Sequence, residues 1–332
     1  MPTSPKRTMQ HGMTLVELLI AMSLSLVVGA AIITVFTNNT KSFKEDENML
    51  RMQDDARNAL RELAFDITMA GHYASLIAPG AVTGDTSLVI GTDCGPIGVP
   101  NWIYQTQAAG VGEHQSLLAI DNATGASANA SHSCIAAAEL QPGTDVVSIK
   151  RVAGGSTAVP VAGNIYMRTN GTIGLLYREP VSAAPPVIVP APFTEWQYRP
   201  RIYFIRNYSN TPGDQIPALC RKVLTGAGPS MTTECLAQGV ENLQVEYGLD
   251  ASGNGRPDAF LSNPTQTQMQ TVVTARIFLL ARSVESDFRY DDVKTYTLSN
   301  APVYTPADNF HRRVSSITVN IPNIRALTLL GL

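Results

Sequence analysis

Between Met13 and Phe36 run about 24 residues whose only charge is Glu17. A helix of that length is about 36 Å long, enough to cross a hydrocarbon core of about 30 Å. It exceeds the roughly 7–15 apolar residues of a cleavable secretory signal. Lys6 and Arg7 precede it, which puts the N-terminus in the cytoplasm and the bulk of the chain outside. A carboxylate in such a helix costs roughly 2.5–3.5 kcal/mol on insertion scales and calls for a partner. No cation lies within a turn or two of Glu17. A cut after Gly12 would supply one: the new amino group of Met13 would sit four residues from Glu17 on the same helix face, or be presented by a neighbouring chain.

The helical pattern continues beyond the apolar run. Thr37 to Glu47 is a polar bridge, after which Met49, Met52, Ala56, Leu60, Leu63 and Ile67 recur at steps of three and four. Asp54, Asp55, Arg57, Arg61 and Glu62 fall largely between them, which predicts an amphipathic helix with one stripe on a core. Gly71 is the expected stop, so one helix from Thr14 to about Ala70 would be roughly 85 Å long. Past Gly71 the period changes to that of strands. Asp145 to Lys150, Arg201 to Arg206 and Thr271 to Arg282 read as strands; Leu243, Val245 and Tyr247 alternate with Gln244 and Glu246, and Ile317, Val319 and Ile321 with Thr318 and Asn320. Gly84 to Ser133 reads as loop, and proline-rich Pro180 to Pro200 excludes a central strand. A long helix followed by mostly antiparallel strands is an α+β fold, without an internal repeat or a clean second-domain boundary.

Charged residues are only 15% of the chain against 44% apolar, a balance suited to an exported protein. The net charge is -3; losing Lys6 and Arg7 with a leader leaves 22 basic and 27 acidic residues, or -5. An acidic body argues against a broad nucleic-acid surface. The four cysteines, Cys94, Cys134, Cys220 and Cys235, all lie beyond the apolar segment and allow three disulfide connectivities. Cys220 with Cys235 is the favoured pair, closing a loop of about 15 residues worth roughly 3 kcal/mol. Cys94 with Cys134 is the expected second bridge. Zinc is disfavoured, since His132 and Cys134 form the only tight His/Cys pair.

Gly12-Met13-Thr14-Leu15-Val16-Glu17 ahead of a long apolar helix resembles the processing signal of type IV pilins and pseudopilins. The resemblance implies that a prepilin peptidase cuts between Gly12 and Met13, that Met13 is N-methylated, and that Glu17 is the carboxylate that pairs with a terminal amine during filament assembly. Met13 departs from the usual phenylalanine, and Thr34 stands where major pilins often have a helix-breaking proline. "PALCRKVL" (Pro217 to Leu224), "QGVENLQVEYGLDASGNGRPD" (Gln238 to Asp258) and "VVTARIFLLARS" (Val272 to Ser283) narrow the likeness to minor pilins of the PilW type. Residues 75–200 carry nothing that matches.

That resemblance implies a pilin-like organisation: a leader at 1–12, a membrane and filament-core helix at 13–36, an amphipathic helix at 37–70 and a β-rich outer domain at 71–332. It implies residence in the bacterial inner membrane, then in the periplasm and pilus. The role it implies is priming or capping a type IV pilus with other minor pilins. Its implied partners are those pilins, the major pilin, the prepilin peptidase, the inner-membrane assembly platform and a PilY-type tip adhesin. Two alternatives stand beside it: a minor pseudopilin of the J class from a type II secretion system, disfavoured by this chain's length, and a tip module that binds surfaces or DNA. The latter needs a basic or aromatic loop, whereas Trp102 and Tyr104 stand nearly alone in the unmatched middle.

No cofactor is expected, and only one stretch invites a metal. Asp250, Asn254 and Asp258 recur at four-residue intervals around two glycines and could turn oxygens to calcium. Ala251, Ser252 and Arg256 break the EF-hand spacing, so a turn between strands is the favoured reading. His11, His72, His114, His132 and His311 are scattered, and the chain has no G-x-S-x-G, H-E-x-x-H, Walker or G-x-G-x-x-G motif. No enzyme is expected. Arg312-Arg313 reads as a solvated strand edge rather than a DNA or partner contact.

Overall fold

The computed structural model describes residues 12–76, 82–85, 88–99, 101–106, 115–225 and 228–329; Lys6, Arg7, His11 and His114 lie outside the described residues. Helix α1 runs Leu15–Thr68, and the chain divides at Met49/Leu50 into two compact units. In the first unit the apolar side chains of α1 from Leu15 to Phe36 are largely exposed. Five hydroxyl residues among and just beyond them are satisfied within the helix. The hydroxyls of Ser23, Ser25, Thr34, Thr37 and Thr40 donate to the carbonyls of Ile20, Ala21, Ala30, Thr34 and Phe36. That is how hydroxyl residues are tolerated where no water competes. The helix continues unbroken through Gly29 and Thr34.

The second unit holds strands β1 (Val82–Gly84) and β2 (Leu117–Ala123), helix α2 (Gly125–Ser131), and strands β3 (Thr144–Ile149), β4 (Ile165–Thr169), β5 (Gly174–Arg178), β6 (Thr194–Gln197), β7 (Arg201–Arg206), β8 (Ala218–Thr225), β9 (Ser230–Gln238), β10 (Val240–Leu249) and β11 (Ala259–Leu261). The short α3 (Gln266–Met269), β12 (Val272–Arg282), β13 (Arg312–Asn320) and α4 (Pro322–Leu329) complete it. Among the described residues three sheets form, in the orders β1-β5-β4-β6, β2-β3-β7-β8-β9 and β11-β10-β12-β13. All pairings are antiparallel except β1 with β5. With α1 this is the expected α+β fold.

Within the second unit the predicted stripe of α1 is buried at Met52, Ala56, Leu60, Leu63 and Ile67. It packs on two sheets at once, against Val147, Ile149, Tyr203 and Ile205 of one and Leu243, Val245, Tyr247, Ile277 and Leu279 of the other. Each fully buried Leu or Ile is worth about 1.5–3 kcal/mol of transfer free energy. A second core gathers Trp102, Ile135, Phe204, Cys94 and Cys220 on the other side of the five-stranded sheet.

Two expectations change. Gly84 to Ser133 is not all loop, since β2 and α2 lie in it. Seven residues of Gly, Ala, Ser and Asn become helical because Thr124 and Ser127 cap each other's backbone N–H, and Gly125 lies where a methyl would collide with the Ala137 carbonyl. β10 is buried on both faces rather than one. Gln244 is fully buried, donating to Asn122, Asn242 and the Gly143 carbonyl, so the β2–β3 corner covers the face that alternation assigned to water.

Candidate functional site

Gly12 and Met13 precede α1, and Met13 is exposed. Glu17 stands in the first turn, where its carboxylate accepts the Thr14 N–H at 3.0 Å and the Thr14 hydroxyl at 2.9 Å. The Glu17 N–H donates back to the Thr14 hydroxyl at 3.3 Å. This is a capping box, which satisfies backbone N–H groups that a helix start otherwise leaves open. Thr14-Leu15-Val16-Glu17 spells that box in the sequence. Read only as a processing signal, the stretch hid its second function. Around the carboxylate, Leu15, Val16, Leu18, Leu19 and Ile20 are all exposed, so the charge sits in an apolar surface that no other described residue covers.

The cysteines pair as Cys94–Cys134 and Cys220–Cys235, and both pairs join the second core. Cys220 and Cys235 face each other across β8 and β9 at a register shift. Cys94–Cys134 fastens the segment that carries His132 and Trp102. The His132 Nδ1 lies 3.2 Å from the Cys94 carbonyl, and its ring meets the Trp102 ring edge-on at 5.2 Å. Burial pushes His132 down to about 4, against the opposing pull of the Cys94 carbonyl, so it is neutral at physiological pH. Below it the Lys150 ammonium donates to the Trp102 and Gln105 carbonyls at 2.7 and 2.6 Å and lies 3.8 Å from the Trp102 ring centroid. Burial holds Lys150 well below its ordinary range, with Asp93 opposing the shift.

These contacts set a test of the two bridges. In the chain-entropy model, removing Cys94–Cys134 (both to Ser), a span of 40 residues, costs about 4 kcal/mol, and removing Cys220–Cys235, a span of 15, about 3 kcal/mol. Urea unfolding of the oxidised full-length chain in detergent, followed by tryptophan emission, is expected to rank the losses in that order. A reversed order would mean that strand pairing, not loop closure, governs them.

The Asp250–Asp258 stretch is a hydrogen-bonded turn between β10 and β11. Asp250 accepts the N–H groups of Asn254 and Gly255, Asp258 that of Ser252, and Asn254 that of Arg256. The three oxygen-bearing side chains are thus committed to the loop's own backbone. Among the described residues no group of His, Cys, Asp or Glu side chains is arranged to hold a metal.

Arg312 corrects the reading of Arg312-Arg313 as a solvated edge. Its side chain is fully buried, with Nε 2.7 Å from Glu241 and a terminal nitrogen 3.1 Å from Asp292, and it also pairs with Asp308. Burial alone would raise the Asp292 carboxyl; bonds from Tyr296, Arg312 and Tyr290 outweigh it and hold it below the usual carboxylate range. Three carboxylates from separate segments offset the desolvation of one guanidinium. Arg313 is exposed and donates to Gln53 on α1 at 3.0 Å.

Asp66 on the buried face of α1 was not singled out by its sequence. It pairs with Arg151, accepts the Tyr203 hydroxyl, and has Arg201 at 3.9 Å. One turn earlier Glu62 pairs with Arg221, which also reaches Glu234. Together these ions fix the end of α1 on the five-stranded sheet. His72 stacks edge-on against Trp196, and His311 lies against Asp287 and Tyr290.

Residues 202–323 match the family described as Type IV Pilus-assembly protein W, and residues 7–33 match the prokaryotic N-terminal methylation motif. The two matches together support a type IV minor pilin of the PilW type. None of the curated proteins is similar enough to match it. Among solved structures it is similar to the type IV-like pilin TTHA1219 from Thermus thermophilus, at 12% identity over 82% of this chain and 98% of that one, with a TM-score of 0.34. The PilW match begins inside β7 and takes in β8 to β13, so it covers the β11-β10-β12-β13 sheet and the β7-β8-β9 side of the five-stranded one. The methylation match takes in Gly12 to Glu17 and α1 as far as Ile33. As a PilW-type pilin the chain is structural rather than catalytic, is anchored in the inner membrane and afterwards belongs to the pilus. Its partners include other pilins and the prepilin peptidase.

Proposed function

We propose that this PilW-type pilin joins other minor pilins in a complex that primes or caps a type IV pilus. Residues 1–12 are then the leader, Met13 the methylated mature N-terminus, 13–36 the filament-core segment, 37–70 the amphipathic half of the helix and 71–332 the outer domain. The observation that carries the reading is the exposed apolar surface of α1 from Leu15 to Phe36 with Glu17 as its only charge. Such a surface is stable in lipid or in a bundle of like helices, and one carboxylate in it gives the bundle a register through a neighbour's terminal amine. The assembly platform and a tip adhesin are the further partners of this reading.

The test is affinity purification of the tagged chain from detergent-solubilised membranes, with intact-mass analysis of the chain and identification of co-purifying proteins. The expected result is a chain beginning at N-methylated Met13, accompanied by minor pilins, and a deletion strain with few surface pili. Retention of the leader in cells with an active peptidase, or normal piliation with loss of protein secretion on deletion, would overturn the proposal.

A further inference from the structure

Sheet edges are sites of unwanted pairing, and proteins blunt them with short strands, bulges, prolines, charges or covering segments. Most edges of this fold are treated in that way. β1 and β11 have three residues each. β2 has an irregular register after Ile120, with Asn122 at φ 45°. β6 is covered by Ala153 and Thr157, which donate to Gln197 and Glu195. β9 is covered at one end by Gly91 and Thr92 and shifted in register near Cys235.

β13 is different. It pairs with β12 in an unbroken register from Arg312↔Arg282 to Asn320↔Thr274, and holds no proline and no lysine. Two bonds that continue the ladder fix which way its backbone faces. Ser283 donates to the His311 carbonyl and Ile321 donates to the Val273 carbonyl, so the odd-numbered residues bond to β12. The N–H and C=O groups of Val314, Ser316, Thr318 and Asn320 therefore point away from the sheet, and none has a hydrogen-bond partner among the described residues. On the core side Ile317 and Val319 are only partly buried, with their flanks open beside the edge. At one end stands Arg313, an exposed cation bonded to the neutral Gln53 amide and without a carboxylate partner among the described residues.

We propose that β13 is a docking edge completed by a strand of another pilin subunit. Backbone groups at four alternate positions would supply the bonds, as in strand addition generally. The chemistry of the edge specifies the incoming strand: apolar side chains at alternate positions to continue Ile317 and Val319, and an Asp or Glu opposite Arg313. A second copy of this chain fits less well, because antiparallel self-pairing about Ser316 would set each Arg313 opposite Val319 and leave its charge uncompensated. The proposal rests on the minor-pilin complex inferred above and locates one of its interfaces.

Two changes to the full-length chain in its native membrane test it. Thr318→Pro removes an outward N–H and blocks an approaching strand while leaving the bonds to β12 in place, since proline is tolerated where the N–H faces solvent. It is expected to lower co-purification of minor pilins at least tenfold at unchanged level of the mature chain. Independently, p-benzoylphenylalanine in place of Ser316 should cross-link to a minor pilin, through a peptide that carries an acidic residue in an alternating apolar stretch. Thr318→Pro tests the edge only if the chain folds; if its level falls, the cross-link alone decides. Normal co-purification with Thr318→Pro, or a Ser316 adduct with a second copy or with a non-pilin protein, would overturn the docking edge and leave the minor-pilin complex standing. If the unaltered chain brings down no pilin at all, the complex itself fails and the docking edge with it.

Discussion

Asp66→Ala is expected to destabilise the outer domain by about 3–5 kcal/mol, the cost of leaving a buried ionic partner uncompensated. The Arg151 and Asp66 side chains are 4% and 3% exposed, and the carboxylate also accepts the Tyr203 hydroxyl. Removing it strands a guanidinium inside the protein and takes away the acceptor of the Tyr203 O–H on β7, whose oxygen keeps only the bond from Arg221. Asp66→Asn should cost less, because an amide oxygen still accepts from Tyr203, yet it leaves Arg151 without its counter-charge. The double change Asp66→Leu with Arg151→Met should recover much of the loss, since apolar replacement of a whole buried pair is often neutral. Urea unfolding of the full-length chain in detergent, read by tryptophan emission, measures all three. A loss below about 1 kcal/mol for Asp66→Ala would mean that water reaches the pair and that apolar packing of Leu63 and Ile67 alone holds α1 on the sheets.

That pair also marks where reading along the chain stops. The α1 stripe was legible because apolar residues keep a helical period, and β10, β12 and β13 because theirs alternates. Asp66 was not, since its partner lies 85 positions away and nothing local distinguishes it from a surface acid. Arg312 misled for the same reason: a basic doublet before a strand looks solvated until Glu241, Asp292 and Asp308 arrive from separate segments. α2 escaped notice because its seven small residues carry no apolar period and are held by caps and close backbone contact. The Thr14–Glu17 box is the opposite case. Its signal is entirely local, a threonine three residues ahead of a glutamate at the head of an apolar run, and the same glutamate also belongs to the processing motif.

Two explanations for one carboxylate can be separated, because capping and charge respond differently to the same change. Glutamine at the third helical position still accepts the Thr14 N–H, so Glu17→Gln keeps the capping box. Glu17→Ala removes both the cap, a loss typically near 1 kcal/mol or less for a single capping contact, and the charge. If assembly uses the charge, glutamine should be nearly as harmful as alanine. A terminal amine buried in a helix bundle would have lost its counter-ion, at about 3–5 kcal/mol, enough to reduce surface pili by more than tenfold if this subunit is required for priming. Membrane level and processing should hold with glutamine, and insertion should become slightly easier without a carboxylate in lipid. The measurement is a count of surface pili for each variant in a strain lacking the native gene, beside the membrane level of the mature chain. Full piliation with glutamine and a loss only with alanine would assign Glu17 to helix capping. Full piliation with both, at normal protein level, would mean that no neighbour's amine depends on this carboxylate, as expected of a subunit at the end of the filament with a neighbour on one side only.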